Sequence, residues 1–175
     1  MFEDLNDCNE IRLLFCQNLD NMKYFTISEL CKSSTADKYG IKNIPGIIET
    51  QNLIKLIENI LDPLRAKMGC PIIVSSGYRC KALNSKVGGS KTSQHMSGQA
   101  ADIYCVKKVG GKNVLDTVKT RKLFDTIVSM GLPFDQLILE KGTPTAPQWV
   151  HVSHKWNGTN RKQRLYYNGK TYVKI

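Results

Sequence analysis

Ser93-Gln94-His95-Met96-Ser97-Gly98-Gln99-Ala100-Ala101-Asp102 passes from a polar, glycine-containing turn into small residues, and Ile103-Tyr104-Cys105-Val106 follows as a β-branched and aromatic run. This reads as a turn entering a strand from about Ala100 to Val106. Side chains alternate across a strand, so Asp102 shares a face with Ala100 and Tyr104. A second short strand, Trp149-Val150-His151-Val152-Ser153, follows Gln148 and puts His151 on a face with Trp149 and Ser153. If the two strands are neighbours, Asp102 and His151 converge and His95 reaches in from the preceding turn. Two imidazoles and a carboxylate form a three-ligand set that suits zinc and leaves a fourth position open for water. An open position belongs to a catalytic metal site rather than a structural one. The ordinary alternative is a pair of histidines satisfied by other partners near an unconnected aspartate.

Working outward, Pro71-Ile72-Ile73-Val74-Ser75 is a β-branched run and reads as a buried strand. Before it, apolar positions at Leu5, Cys8, Ile11, Leu14 and Phe15 have near-helical spacing over residues 3 to 22. Thr26 and Glu29 fit a capping box that starts a short helix through Leu30. Pro45 suits the first turn of a helix carrying Leu53, Ile57, Ile60, Leu61 and Leu64, which Pro63 should kink or split. After the Asp102 strand, residues 109 to 120 read as a loop, and Arg121 to Met130 as a helix closed by Gly131. Phe134 to Glu140 and Trp149 to Ser153 are strands joined by a Pro/Gly/Thr turn. Asn168-Gly169, between Leu165-Tyr166-Tyr167 and Thr171-Tyr172-Val173, marks a hairpin. The expectation is an α+β domain, with N-terminal helices packed on a mainly antiparallel sheet that carries the metal site. Residues 1–23 read as a helical extension and residues 24–175 as the domain.

Lysine and arginine number 25 against 15 acids, for a net charge of +10. That balance favours polyanions in general. The basic residues are scattered, with no basic-aromatic cluster, so a specific nucleic-acid site is not expected. Six cysteines without C-x-x-C spacing read as reduced thiols of a protein made in a cytosol. The acidic start Met1-Phe2-Glu3-Asp4 is unlike a signal peptide, and no stretch is long enough to enter a membrane.

Ser93-x-His95-x-x-Gly98-x-Ala100-x-Asp102, followed by Trp149-x-His151, resembles the signature of the M15 peptidases. Phe25 to Leu30, Ser34-Thr35-Ala36, Leu61 to Arg65 and Ser75-Ser76-Gly77-Tyr78-Arg79 look like the phage and prophage subgroup. The resemblance covers roughly residues 24 to 156 and implies a Hedgehog/DD-peptidase-like fold. It further implies one Zn2+ on His95, Asp102 and His151, with bacterial peptidoglycan stem peptides as substrate. The bond cut, D-Ala-D-Ala or L-Ala-D-Glu, is left open by these motifs. Likeness to phage endolysins implies synthesis in the host cytoplasm and action at the wall after holin release or virion delivery. The chain is expected to be a monomer.

By the same likeness, Arg79 contacts substrate; its fork can hold a carboxylate or polarise the scissile carbonyl. A surface arginine paired with a nearby acid is the alternative. Ser93 and Gln94 beside His95, and Trp149 beside His151, complete the expected substrate-facing set. A zinc peptidase needs a general base. Many M15 enzymes place an acid three residues before the last histidine, where this chain has Gln148, and an amide is no base. Glu140 is the candidate if its strand pairs with Trp149 to Ser153, with Asp135 in reserve on the opposite face. His154, offset from His151 by three, is expected in solvent. Tyr166, Tyr167 and Tyr172 are expected to pack and edge the sheet. A triad of Ser93 or Ser153 with His151 and Asp102 can be drawn, but it leaves His95 idle.

Two other readings stay open. Gln148 supports a non-catalytic wall-binding or virion module on the same scaffold. A host wall-remodelling carboxypeptidase would prefer small peptides to intact sacculus.

Overall fold

A computed structural model of the chain describes residues 22–175. The helix expected from residue 3 falls outside the described residues, apart from Met22 at its end. Short helices α1 (Ile27–Cys31) and α2 (Ser34–Lys38) come first. Thr26 caps α1, its Oγ1 accepting the Glu29 N–H at 3.1 Å as the sequence implied. A long helical segment follows as α3 (Ile47–Leu56), a π-helical turn (Ile57–Leu61) and α4 (Asp62–Met68), closed by Gly69 at φ 62°.

The π turn is how the helix passes Pro63 without breaking. Proline has no N–H and its ring crowds the carbonyl four residues back. The Asp62 N–H therefore reaches Ile57 O, one residue further than in an α-helix. Pro45 does not sit in the first helical turn, because Gly46 is the N-cap and Pro45 precedes it.

Strands β1 (Ile72–Ser76), β2 (Ala100–Val109), β4 (Gln136–Thr143), β5 (Ala146–Ser153), β6 (Gln163–Tyr167) and β7 (Tyr172–Lys174) form a sheet in the order β1-β2-β5-β4-β6-β7. All neighbours are antiparallel except β4 and β6. The helix α5 (Lys81–Lys86) follows β1, and α6 (Thr117–Ser129) precedes β4. The fold is α+β.

The loop expected over residues 109 to 120 is a correction. β2 runs on to Val109, turns through Gly110-Gly111 and returns as β3 (Lys112–Leu115), with Val109 paired to Lys112. Both glycines have positive φ, which a two-residue hairpin turn needs. Every β3 residue is exposed, so no apolar alternation betrayed the strand. Asp116 then caps α6 by accepting the Lys119 N–H at 3.0 Å.

Strand alternation sorts the sheet into two faces. Ala101, Ile103, Cys105, Leu137, Leu139, Val150 and Val152 are buried in a core with Leu53, Ile57, Leu64, Leu123 and Ile127 of the helices. The residues between them, Asp102, Ile138, Glu140, Trp149 and His151, belong to the opposite face. Chemistry and core therefore share the same strands. Among the described residues, no helix is long and apolar enough to cross a membrane.

Candidate metal centre

The β2–β5 ladder places Asp102 directly opposite His151, and His151 lies opposite Ile138 of β4. His95 enters from a 3-10 turn (Gln94–Ser97) just before β2. That turn ends at Gly98 with φ 69°, where a Cβ would lie 2.3 Å from Glu49 O. Glycine is required there both for the left-handed backbone and for the close approach of α3.

His95 Nε2 lies 3.2 Å from His151 Nδ1 and 3.3 Å from Asp102 Oδ1, and His151 Nδ1 lies 2.9 Å from Asp102 Oδ1. On the far side of the ring, His95 Nδ1–H donates to Gly77 O at 2.7 Å. A carbonyl can only accept, so in a neutral imidazole Nε2 carries a lone pair. Burial lowers the His95 pKa against the opposing pull of Asp102, which favours that neutral ring. A buried lone pair thus faces a carboxylate oxygen and a second imidazole. A cation between them satisfies all three. Tetrahedral zinc at about 2.0–2.1 Å from each donor requires donor separations of roughly 3.3 Å, close to those found. The donor set fits one zinc ion, and the three residues form the one such group among the described residues.

Asp102 serves two sides. Oδ1 faces both histidines, while Oδ2 accepts from Arg79 Nη2 at 2.8 Å. Burial pushes its pKa up, but the two imidazoles that face it outweigh this and hold the carboxyl well below the usual range. A β-bulge in β1 shifts the pairing from Val74↔Ile103 to Ser76↔Asp102. The extra residue, Ser75, donates its hydroxyl to Asp102 O at 3.1 Å. Ser76 Oγ accepts from Arg79 Nε at 2.7 Å. Arg79 therefore does pair with an acid, but the acid belongs to the His95–Asp102–His151 cluster. Its side chain also borders a cleft of about 240 Å³ lined by Ser33, Ser34, Thr35, Ser75 and Ser76.

Glu140 lies opposite Trp149, two residues along β4 from Ile138, and so on the face of His151. Burial raises its pKa, with His151 opposing and Asp102 reinforcing the shift. Gln148 falls on the other face of β5 and is exposed. Asp135 is remote from this chemistry: it is fully buried and bonded to the backbone and guanidinium of Arg161. Burial opposes its ionisation, yet the Arg161 hydrogen bonds hold its pKa at about 2.

The partner that orients His95 is Gly77 rather than Ser93 or Gln94. Ser93 N-caps the 3-10 turn, and Gln94 accepts a long hydrogen bond from Arg161 Nη2 at 3.4 Å. Trp149 stays on the site face with Lys141 Nζ 5.4 Å from its ring centroid. His154 is a second correction. It is 4% exposed, not solvated, with Nδ1–H donating to Pro133 O at 2.6 Å and Nε2 facing Asn59 at 3.1 Å. Ser153 is fully buried and its hydroxyl accepts from Gln136 N, so it offers no nucleophile. Cys31, Cys70, Cys80 and Cys105 are free thiols.

No curated protein matches the chain. The family model described as Peptidase M15 matches residues 23–153, well over half of the sequence and a span that includes His95, Asp102 and His151. With that match and this geometry together, the chain belongs to the Peptidase M15 family.

Proposed function

We propose that this protein is a zinc-dependent peptidase that hydrolyses the peptide stems of bacterial peptidoglycan. The observation that carries the reading is the convergence of His95 Nε2, His151 Nδ1 and Asp102 Oδ1 within 3.3 Å of one another, beside a carboxylate of raised pKa. These three atoms would hold one Zn2+. When bound, zinc supplies a Lewis acid that lowers the pKa of water and polarises a carbonyl.

The chain's own groups do the rest. Gly77 O fixes the His95 ring, and Arg79 fixes Asp102 from its other oxygen. Glu140 accepts the proton of the attacking water and returns it to the leaving amine. A raised pKa suits both halves of that task. Arg79 retains donor capacity beyond its bonds to Ser76 and Asp102, and it faces the hydroxyl-lined cleft; there it binds a substrate carboxylate or carbonyl. Gln94 and Trp149 flank the bound peptide. The net charge of +10 favours adsorption to an anionic envelope.

The non-catalytic alternative drew its support from Gln148. An exposed residue on the opposite face of β5 has no bearing on proton transfer at His151, and Glu140 supplies the acid from the neighbouring strand. The test is mass spectrometry of purified sacculi after incubation with zinc-loaded protein. New peptide termini support the reading and identify the bond as D-Ala-D-Ala or L-Ala-D-Glu. Intact stems from several wall types, with folded and zinc-loaded protein, refute it.

A further inference from the structure

The family match ends at residue 153, yet the sheet continues through β6 and β7. Register carries a single row across four strands. Trp149 lies opposite Glu140, Glu140 is paired with Tyr167, and Tyr167 lies opposite Tyr172. Residues paired across a sheet project from the same face. The row therefore flanks the one formed by Asp102, His151 and Ile138, on the face that carries the metal cluster.

The three hairpin tyrosines differ in what their hydroxyls do. Tyr166 donates to Gly142 O at 2.9 Å and Tyr167 donates to Gly169 O at 3.0 Å. The Tyr172 hydroxyl has no hydrogen-bond partner among the described residues, although its ring rests on Tyr167 with centroids 4.8 Å apart. It is near enough to the site that the charges of Glu140 and Asp102 add to burial in raising its pKa. Such a phenol stays protonated at neutral pH, and on a side chain that is 57% exposed its O–H is free to donate to a ligand.

We propose that the β6–β7 hairpin forms a wall of the substrate groove and that Tyr172 contacts substrate, its phenol donating a hydrogen bond to a neutral peptide carbonyl on the Glu140 side of the site. The proposal rests on the peptidase reading and extends it to a residue beyond the family match. Its chemistry also sets the direction of the peptide. Glu140 repels a free carboxylate from the Tyr172 side, so an anionic group belongs at Arg79, on the β1 side of Asp102. A neutral amide belongs at Tyr172. Tyr167, whose hydroxyl is already bonded, contributes its ring as the support that positions Tyr172.

The test uses zinc-loaded full-length protein, a synthetic stem peptide and the Tyr172→Phe variant, which keeps the ring on Tyr167. One lost hydrogen bond of ordinary strength predicts kcat/KM lower by about three- to tenfold with an unchanged melting temperature. A value within twofold of wild type overturns the proposal. If the wild-type protein cleaves nothing, the peptidase reading fails separately, and calorimetry of the same peptide with both proteins still reads the contact. Weaker binding by Tyr172→Phe supports it; equal binding, or none by either, overturns it.

Discussion

A single methyl group on Gly77 should loosen the metal site from outside it. A Cβ there would lie 2.2 Å from Leu30 O and 2.9 Å from Leu30 C and Cα, about 1 Å short of ordinary contact. All of those atoms are backbone, and Leu30 O is itself held by the Tyr78 N–H at 2.8 Å. Relief must come from moving the Gly77 peptide, at an overpacking cost of about 1–3 kcal/mol. That same peptide carries the oxygen 2.7 Å from His95 Nδ1. Losing the partner that fixes a ligating imidazole typically costs 10–100-fold in metal affinity, about 1.4–2.7 kcal/mol. Gly77→Ala should therefore melt at a lower temperature and bind zinc about 10–100-fold more weakly in a chelator-competition titration. Gly131→Ala is the control. Its φ of 66° brings strain of about 1–2 kcal/mol, but no atom lies within 4 Å of the added carbon. It should lower the melting temperature and leave zinc affinity unchanged. A folded Gly77→Ala protein with wild-type zinc affinity would refute the reasoning, as would equal zinc loss in the control.

Other outcomes follow from the same geometry. Glu140→Gln should lower kcat by about 10²–10⁴-fold while zinc stoichiometry is retained; undiminished turnover would remove Glu140 as the base. Gln148→Glu, which installs an acid three residues before His151, should leave kcat within twofold because position 148 faces away from the metal; a large gain would place that position in the site. Asp135 is ionised in the fold down to about pH 2, below its unfolded range near 3.9. Its stabilising effect is therefore complete above about pH 4 and lost as pH falls through 2. The ceiling is about 2.6 kcal/mol, and the amount is less in practice because Arg161 is half exposed. Thermal melts from pH 5 to 2 should fall more steeply for wild type than for Asp135→Asn, and parallel curves would contradict this.

Much of the centre was legible because it is written in local order. Alternation put Asp102 and His151 on defined faces, and small residues at Gly98, Ala100 and Ala101 left room for the two strands to approach closely. Alternation put Asp135 and Glu140 on opposite faces of their strand, which ranked Glu140 ahead and left Asp135 in reserve. What stayed hidden depends on contacts between distant segments. The His95 partner is a backbone carbonyl at Gly77, which no side-chain pattern announces. His154 looked solvated because alternation was continued past Ser153, where β5 ends, and the chain turns His154 toward Pro133 and Asn59. β3 escaped notice because a wholly exposed strand has no apolar period, although Gly110-Gly111 between Val109 and Lys112 was an available hairpin signal. The row ending at Tyr172 depends on a parallel β4–β6 pairing that sequence patterning does not specify.

The most direct test couples bound metal to cleavage. Protein stripped by a chelator would be titrated with zinc, and stem-peptide hydrolysis would be followed against metal content measured by native mass spectrometry. The expected result is no hydrolysis by the stripped protein, activity rising linearly to a plateau at one zinc per chain, and loss of both metal and activity in His151→Ala. Hydrolysis by the metal-free chain, or a plateau that survives His151→Ala, would contradict a catalytic metal held by His95, Asp102 and His151.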